Sequence, residues 1–386
     1  MPSMTILIVI VLSFVGAILS EKLKVSYTTV LVALGLAVSF LRAGGLNSLP
    51  LDKGLILGLV VPPLIFEAAM RTNYKVLRTV QKTVILLAIL GVIISALLSG
   101  LVLNVAMGLP LIAALTFGVI VSPTDPVSVV NVLKSIKAPK RLTTILETEA
   151  YLNDATAVIL YPIALSLSFS PLQSTSLFVY TLGGGVIAGL IVSVIAEALH
   201  RLITEPLAET YFTIAVMFGS YVFAESFGFS GLVAVAIAGL YMGNRTMRVA
   251  MSRETRTTMT RFWEVVTFMV TSFAFLLLGL KADISLLVTF APFITVAFLA
   301  MFLGRVFSVY PIISLVNIFR EKIPSSWTKV LGVAGLRGVV SVALALSLPN
   351  TFPQREIIVT MTFGVALLSL IVQGELLQVY LKRQKL

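Results

Sequence analysis

Long apolar runs alternate with short polar or basic connectors from one end of the chain to the other. A helix needs about 20 apolar residues to cross the hydrocarbon core of a bilayer, and the runs have that length. They predict about 13 spans. The first six cover about residues 4–20, 26–42, 54–70, 83–107, 109–134 and 143–168. The next seven cover about 175–199, 207–227, 230–244, 262–281, 284–318, 328–348 and 356–381. The eleventh is overlong and is expected to tilt or break near Arg305. The first run, Thr5 to Leu19, has no basic leader and is followed by Glu21 and Lys22 rather than by a small-residue cleavage site. It reads as a retained helix and not as a signal peptide. No connector is long enough for a soluble domain, so residues 1–386 read as one all-α polytopic membrane domain. The last span ends shortly before Leu386, which predicts no sizeable regulatory tail.

The connectors orient the chain. With the N-terminus placed outside, the outside connectors hold only Arg42, Lys53, Lys281 and Arg355, while Arg305 and Arg337 fall within spans. All the others of the 28 lysines and arginines, Lys137 among them, fall on inside connectors. So strong an asymmetry is the positive-inside signature, and it predicts an outside N-terminus and a cytoplasmic C-terminus in a cell membrane. The densest basic run, Arg245 to Arg261, reads as a cytoplasmic interfacial helix, with a regulatory lipid site as the alternative.

Composition agrees. The chain is 58% hydrophobic and 12% charged, with a mean hydropathy of +1.05; soluble domains carry roughly twice that charged fraction. It has no cysteine, which excludes disulfides, thiolate chemistry and Cys-ligated metal. Its one histidine, His200, excludes His-cluster metal sites. A net charge of +11 by itself suggests nucleic acid, but the basic residues sit where orientation charge beside anionic lipid belongs. No nucleic-acid partner is expected; the bilayer is.

Against this background, charges within the spans stand out, since each costs roughly 2.5–3.5 kcal/mol at the centre of an inserted helix. They are Glu67, Asp125, Glu149, Asp154 and Arg337, with Glu225, Glu264, Arg305 and Glu375 less deep. The fifth span reads Ser122-Pro123-Thr124-Asp125-Pro126. Pro126 has no N–H for the Ser122 carbonyl and Pro123 none for the Val119 carbonyl. The helix is therefore expected to unwind around Thr124 and Asp125, leaving carbonyls beside a carboxylate, a set suited to a hard cation. A plain proline kink with a salt-bridged aspartate is the alternative. In the sixth span, helical geometry puts Asp154 on a face with Ala150 and Ala157, and Glu149 with Asn153 on the next face. The twelfth carries Arg337 within Gly335-Leu336-Arg337-Gly338. A buried arginine needs a carboxylate or carbonyl partner, and Glu149 is the candidate. Val127-Ser128-Val129 and Val340-Ser341-Val342, one after each break, hint at an inverted repeat.

These segments resemble the cation–proton antiporters, specifically the NhaP/NHE-like sodium–proton exchangers. The matching pieces are Val61 to Ala69, Ser122 to Pro126, Glu149 with Leu152-Asn153-Asp154-Ala155-Thr156, Ser230 to Ala234, Phe262-Trp263-Glu264, Phe275 to Gly279, and Gly335 to Ser341 with Leu348-Pro349. They occur in family order over nearly the whole chain. The resemblance implies 13 helices with inverted repeats, broken crossing helices at spans 5 and 12, and a homodimer. Spans 4–6 and 11–13 would form the ion-binding core, spans 1–3 and 7–10 the dimerising scaffold. Asp154 and Asp125 would form a shared cation and proton site with the Thr124 backbone as ligand. Glu149 and Arg337 would hold Asn153 and the site in shape, and Glu67 and Tyr241 would line the cytoplasmic approach. Two departures bear on selectivity: Ala150 stands where the family usually has a serine hydroxyl, and Thr271 where it has an asparagine.

The expected function is a secondary antiporter exchanging Na⁺ or Li⁺ for H⁺, electroneutral, with no cofactor and no catalytic residue. Ala150 leaves K⁺/H⁺ exchange as the alternative. A cation channel fits less well, because the charges are single and mid-helix and no filter-like repeat is present. An intramembrane aspartyl protease using Asp125 and Asp154 lacks the Gly-x-Gly-Asp sequence such enzymes carry.

Overall fold

In the computed structural model the described residues are 2–40, 53–135, 138–166, 170–319 and 321–384, and no strand occurs among them. Arg42 and Lys137 lie outside them. The helices follow the apolar runs. They are α1 (Pro2–Leu23), α2 (Tyr27–Phe40), α3 (Val61–Arg71), α4 (Gln81–Met107), α5 (Leu111–Ile120), α6 (Pro126–Ser135) and α7 (Lys140–Ser166). After them come α8 (Pro171–His200), α9 (Pro206–Ser226), α10 (Gly231–Tyr241), α11 (Arg253–Lys281), α12 (Ala291–Ile318), α13 (Ser325–Val333), α14 (Val339–Leu346) and α15 (Arg355–Gln378). Their starts are set by local chemistry. Ser170 caps α8 in a reciprocal capping box with Gln173, ahead of Pro171, and Glu205 caps α9 ahead of Pro206.

Among the described residues six helices are long and apolar enough to cross a membrane: α4, α8, α9, α11, α12 and α15. At 27 residues α7 has the length as well, but Glu147, Glu149 and Asp154 interrupt its apolarity. Large apolar side chains such as Val105, Leu172 and Ile318 are mostly exposed, as helices facing lipid require. Inside the bundle, helices approach through small residues. A Cβ on Gly35 of α2 would lie 2.3 Å from the Leu276 carbonyl oxygen of α11, and one on Gly279 would lie 2.2 Å from the Val32 carbonyl oxygen. Only glycine permits that spacing. Gly185 and Gly189 of α8 sit as closely against Ser230 and Ala234, so the glycine run there serves helix packing.

Two expectations are corrected. The overlong eleventh run breaks at Phe290, between a short helix (Ile284–Thr289) and α12, and not at Arg305, which sits mid-way along continuous α12. Asp283 caps the short helix, and Pro292 lies in the first turn of α12, where its missing N–H costs nothing. The Arg245 to Arg261 run is no separate interfacial helix either. Its second half is the start of α11, capped by Ser252, so the helix begins well before the apolar stretch does.

Candidate functional site

Two chain breaks meet inside the bundle. The first lies between α5 and α6, over residues 121–125, and the second between α13 and α14, over 334–338. The Asp125 N–H donates to the Leu336 carbonyl at 2.8 Å, tying break to break. A Cβ on Gly338 would lie 2.7 Å from the Asp125 Cβ, so no larger residue fits at that contact. The crossing brings together the N-terminal ends of α6 and α14 and the C-terminal ends of α5 and α13, hence partial charges of both signs. Two side chains answer them. Asp125 accepts from the Ser128 N–H at 2.7 Å at the start of α6. Arg337 Nη1 donates to the carbonyls of Ser122 at 2.8 Å and Pro123 at 3.0 Å, just past α5.

The unwinding expected from Pro123 and Pro126 is present, but the freed carbonyls are not all available to a cation. Arg337 takes that of Ser122, and the Ser122 N–H and Oγ take that of Val119, the latter at 2.8 Å. The Thr124 N–H donates to Asn153 Oδ1 at 3.1 Å, and Asn153 Nδ2 donates to Thr124 Oγ1 at 2.7 Å and to Glu149 Oε1 at 2.8 Å. Asn153 thus fastens α7 to the unwound segment.

The expected pairing of Glu149 with Arg337 is not formed. Glu149 is held by Arg305 of α12 through a two-pronged contact, Nη1 to Oε1 at 2.8 Å and Nη2 to Oε2 at 3.0 Å, while Arg305 Nε donates to the Leu331 carbonyl at 3.1 Å. Both partners are almost fully enclosed, with side chains 4% and 1% exposed. Arg337 instead meets backbone carbonyls at a helix end, through Nη1 alone; its Nε and Nη2 are buried without a hydrogen-bond partner among the described residues. Residue reading missed Arg305 as the partner; an arginine within an apolar run was the available signal.

Asp154 stands apart from this network. It is 4% exposed, and its carboxylate accepts no hydrogen bond from the described residues. It lines a small cavity with Asp125, Thr124, Pro123, Gly338 and Ser341. The cavity measures about 20 Å³, room for roughly one water-sized species. Glu149 and Asn153 do not line it, as the two faces of α7 require.

A larger cavity of about 360 Å³ adjoins it, and Leu64 and Pro126 line both. Its polar walls are Glu67, Arg71, Glu147, Glu264, Tyr27 and Thr271. Arg71 pairs with Glu67 on its own helix and donates to Glu264 of α11 at 2.7 Å. Glu67 therefore lines this larger cavity. Tyr241 lines neither cavity and donates to Glu197 Oε2 of α8 at 2.7 Å, beside Arg245, which faces the same carboxylate.

Known proteins are similar to this chain along nearly its whole length. The Na(+)/H(+) antiporter NhaS2 of Synechocystis sp. is 34% identical over 374 residues, covering 96% of this chain and 68% of the relative. The Na(+)/H(+) antiporter NhaH of Halobacillus dabanensis is 32% identical over 399 residues, covering 98% and 96%. The solved structure of the sodium proton antiporter MjNhaP1 from Methanocaldococcus jannaschii at pH 8 superposes with a TM-score of 0.78 over 99% of both chains, at 24% identity, and so shares the fold. Residues 9–383 match the transmembrane sodium/hydrogen exchanger family, and with relatives this similar along its length the chain belongs to that family.

Proposed function

We propose that the protein exchanges Na⁺ for H⁺ across the membrane by alternating access, with cation and proton competing for Asp154. The observation that carries the reading is the small buried cavity that Asp154 and Asp125 share, beside an open cavity with acidic walls. An isolated carboxylate at membrane depth is an ion ligand or proton carrier by default. Asp154 is the principal carrier in this reading; Asp125 and the Thr124 backbone complete the cation shell. Asn153, Glu149, Arg305 and Arg337 hold the unwound segments in place.

Exchange is electroneutral on the same reasoning. Position 153 is an amide and carries no proton. Glu149 is paired with Arg305, Arg337 faces two carbonyls, and Asp125 is engaged at the start of α6, which leaves Asp154 as the group that exchanges the proton. The site then has the same net charge with one proton on Asp154 as with one cation beside it.

Arg71, one of the basic residues placed on the inside, lines the large cavity, which supports an opening toward the cytoplasm with the N-terminus outside and the protein in the cell membrane. In this reading spans 4–6 and 11–13 move as the ion-binding core against a scaffold of spans 1–3 and 7–10, through which two copies pair. Purified protein in liposomes, loaded with a proton gradient and a pH-sensitive dye, tests the exchange. Dissipation of the gradient on adding Na⁺ or Li⁺ is expected. A response to K⁺ alone would favour potassium as the cargo, which Ala150 makes the specific rival, and no response to any of the three would defeat the reading.

A further inference from the structure

The small cavity has one more polar group on its wall. Ser341 lies in the first turn of α14 and lines the cavity beside Asp125 and Asp154. It is 1% exposed, and its Oγ has no hydrogen-bond partner. Among the described residues it is the one serine with a fully enclosed hydroxyl left so. A buried polar atom without a partner is costly and calls for a reason.

Local structure explains how the hydroxyl stays free. A serine within a helix ordinarily donates back to a carbonyl three or four residues earlier. Ser193 does so to Gly189, Ser220 to Met217 and Ser308 to Arg305. Because α14 begins at Val339, the corresponding positions for Ser341 are Gly338 and Arg337, which belong to the break and not to the helix. The break thus releases a hydroxyl into the cavity, as it releases carbonyls elsewhere.

We infer that Ser341 Oγ is an inner-shell ligand of the transported cation, supplied by the second broken helix. The inference rests on the exchange reading above and adds a ligand to it. A small hard monovalent cation that sheds water to enter a cavity of about 20 Å³ must replace that water with oxygen ligands. Asp154, Asp125 and Thr124 come from α7 and the first break; Ser341 provides oxygen from the second broken helix. A hydroxyl also suits both loaded states. Its lone pair faces the cation when one is bound, and it bonds to the carboxyl of Asp154 when a proton is bound instead. Ala150, 1% exposed, offers no oxygen, so Ser341 is the side-chain hydroxyl that sets the fit for Na⁺ and Li⁺.

The test is exchange by wild type, Ser341→Ala, Ser341→Cys and Ser341→Thr in liposomes, with KM and maximal rate measured for Na⁺ and Li⁺. Cysteine keeps the shape of serine, with a slightly larger atom at its end, but offers soft sulfur, a poor ligand for a hard cation. Ser341→Ala and Ser341→Cys are expected to raise KM for both cations about tenfold, the loss of one ligand, with maximal rates within about twofold of wild type. Ser341→Thr, which restores an oxygen, is expected to bring KM back toward the wild-type value. Should Ser341→Ala and Ser341→Cys keep KM within about twofold while wild type exchanges normally, the inference fails and the exchange reading stands. A Ser341→Cys variant that matches wild type while Ser341→Ala does not would show a packing role and overturn the inference equally. Failure of wild type to exchange would overturn both.

Discussion

Replacing Arg305 with methionine removes one half of the ion pair that anchors α7. The guanidinium makes three hydrogen bonds, to the two Glu149 oxygens at 2.8 and 3.0 Å and to the Leu331 carbonyl at 3.1 Å. With side chains 4% and 1% exposed, neither partner has water to fall back on. Breaking a buried pair from one side costs roughly 3–5 kcal/mol, because the surviving charge is stranded. Glu149 would keep only the bond from Asn153 Nδ2. Arg337→Met is a useful contrast: it leaves the Ser122 and Pro123 carbonyls without their donor, at about 1–3 kcal/mol each, but strands no carboxylate. Thermal unfolding in detergent, with the folded fraction followed by size exclusion, reads both. The Arg305→Met midpoint is expected to fall well below wild type. The double variant Glu149→Met/Arg305→Met is expected to recover part of that loss, since an apolar pair of similar volume often substitutes for a buried ion pair. A single variant that melts like wild type, or a double variant no more stable than the single, would refute the anchoring role.

Other consequences are as specific. Gly338→Ala places a methyl 2.7 Å from the Asp125 Cβ; such overpacking costs roughly 1–3 kcal/mol, and exchange should fall steeply with the crossing displaced, a result that normal activity would contradict. The chain has no cysteine, so a cysteine introduced at exposed Lys140 can be labelled without background; impermeant reagent should reach it only after cells are opened, and labelling of intact cells would reverse the topology. Exchange rates in liposomes clamped with potassium and valinomycin should not follow the imposed potential, once K⁺ is excluded as a substrate, and a rate that tracks potential would end the electroneutral account.

How far residue reading reaches depends on the distance over which the chemistry acts. Pro123 and Pro126 remove N–H donors within a few residues, so the unwinding at Asp125 was legible. The helical repeat puts Glu149 with Asn153 and turns Asp154 away, and the structure has both. Partner choice across the bundle was not legible. Arg305 and Arg337 are both buried arginines in apolar runs, and nothing local says which turns toward Glu149; that depends on how α12 and the second break pack around α7. The resemblance says nothing of packing partners at Tyr241 either, and its hydroxyl turns toward Glu197 of α8. The start of α11 was missed because apolarity begins only near Phe262, whereas the backbone is already helical from Arg253, where Ser252 supplies the cap.

The central claim is that Asp154 is the group for which cation and proton compete. The most direct test is Na⁺/H⁺ exchange by Asp154→Asn protein in liposomes, using preparations whose melting midpoint matches wild type. An amide of the same shape holds neither the transported proton nor the charge that draws the cation. The account predicts no Na⁺-driven dissipation of the proton gradient above that of empty liposomes; exchange at the wild-type rate would contradict it.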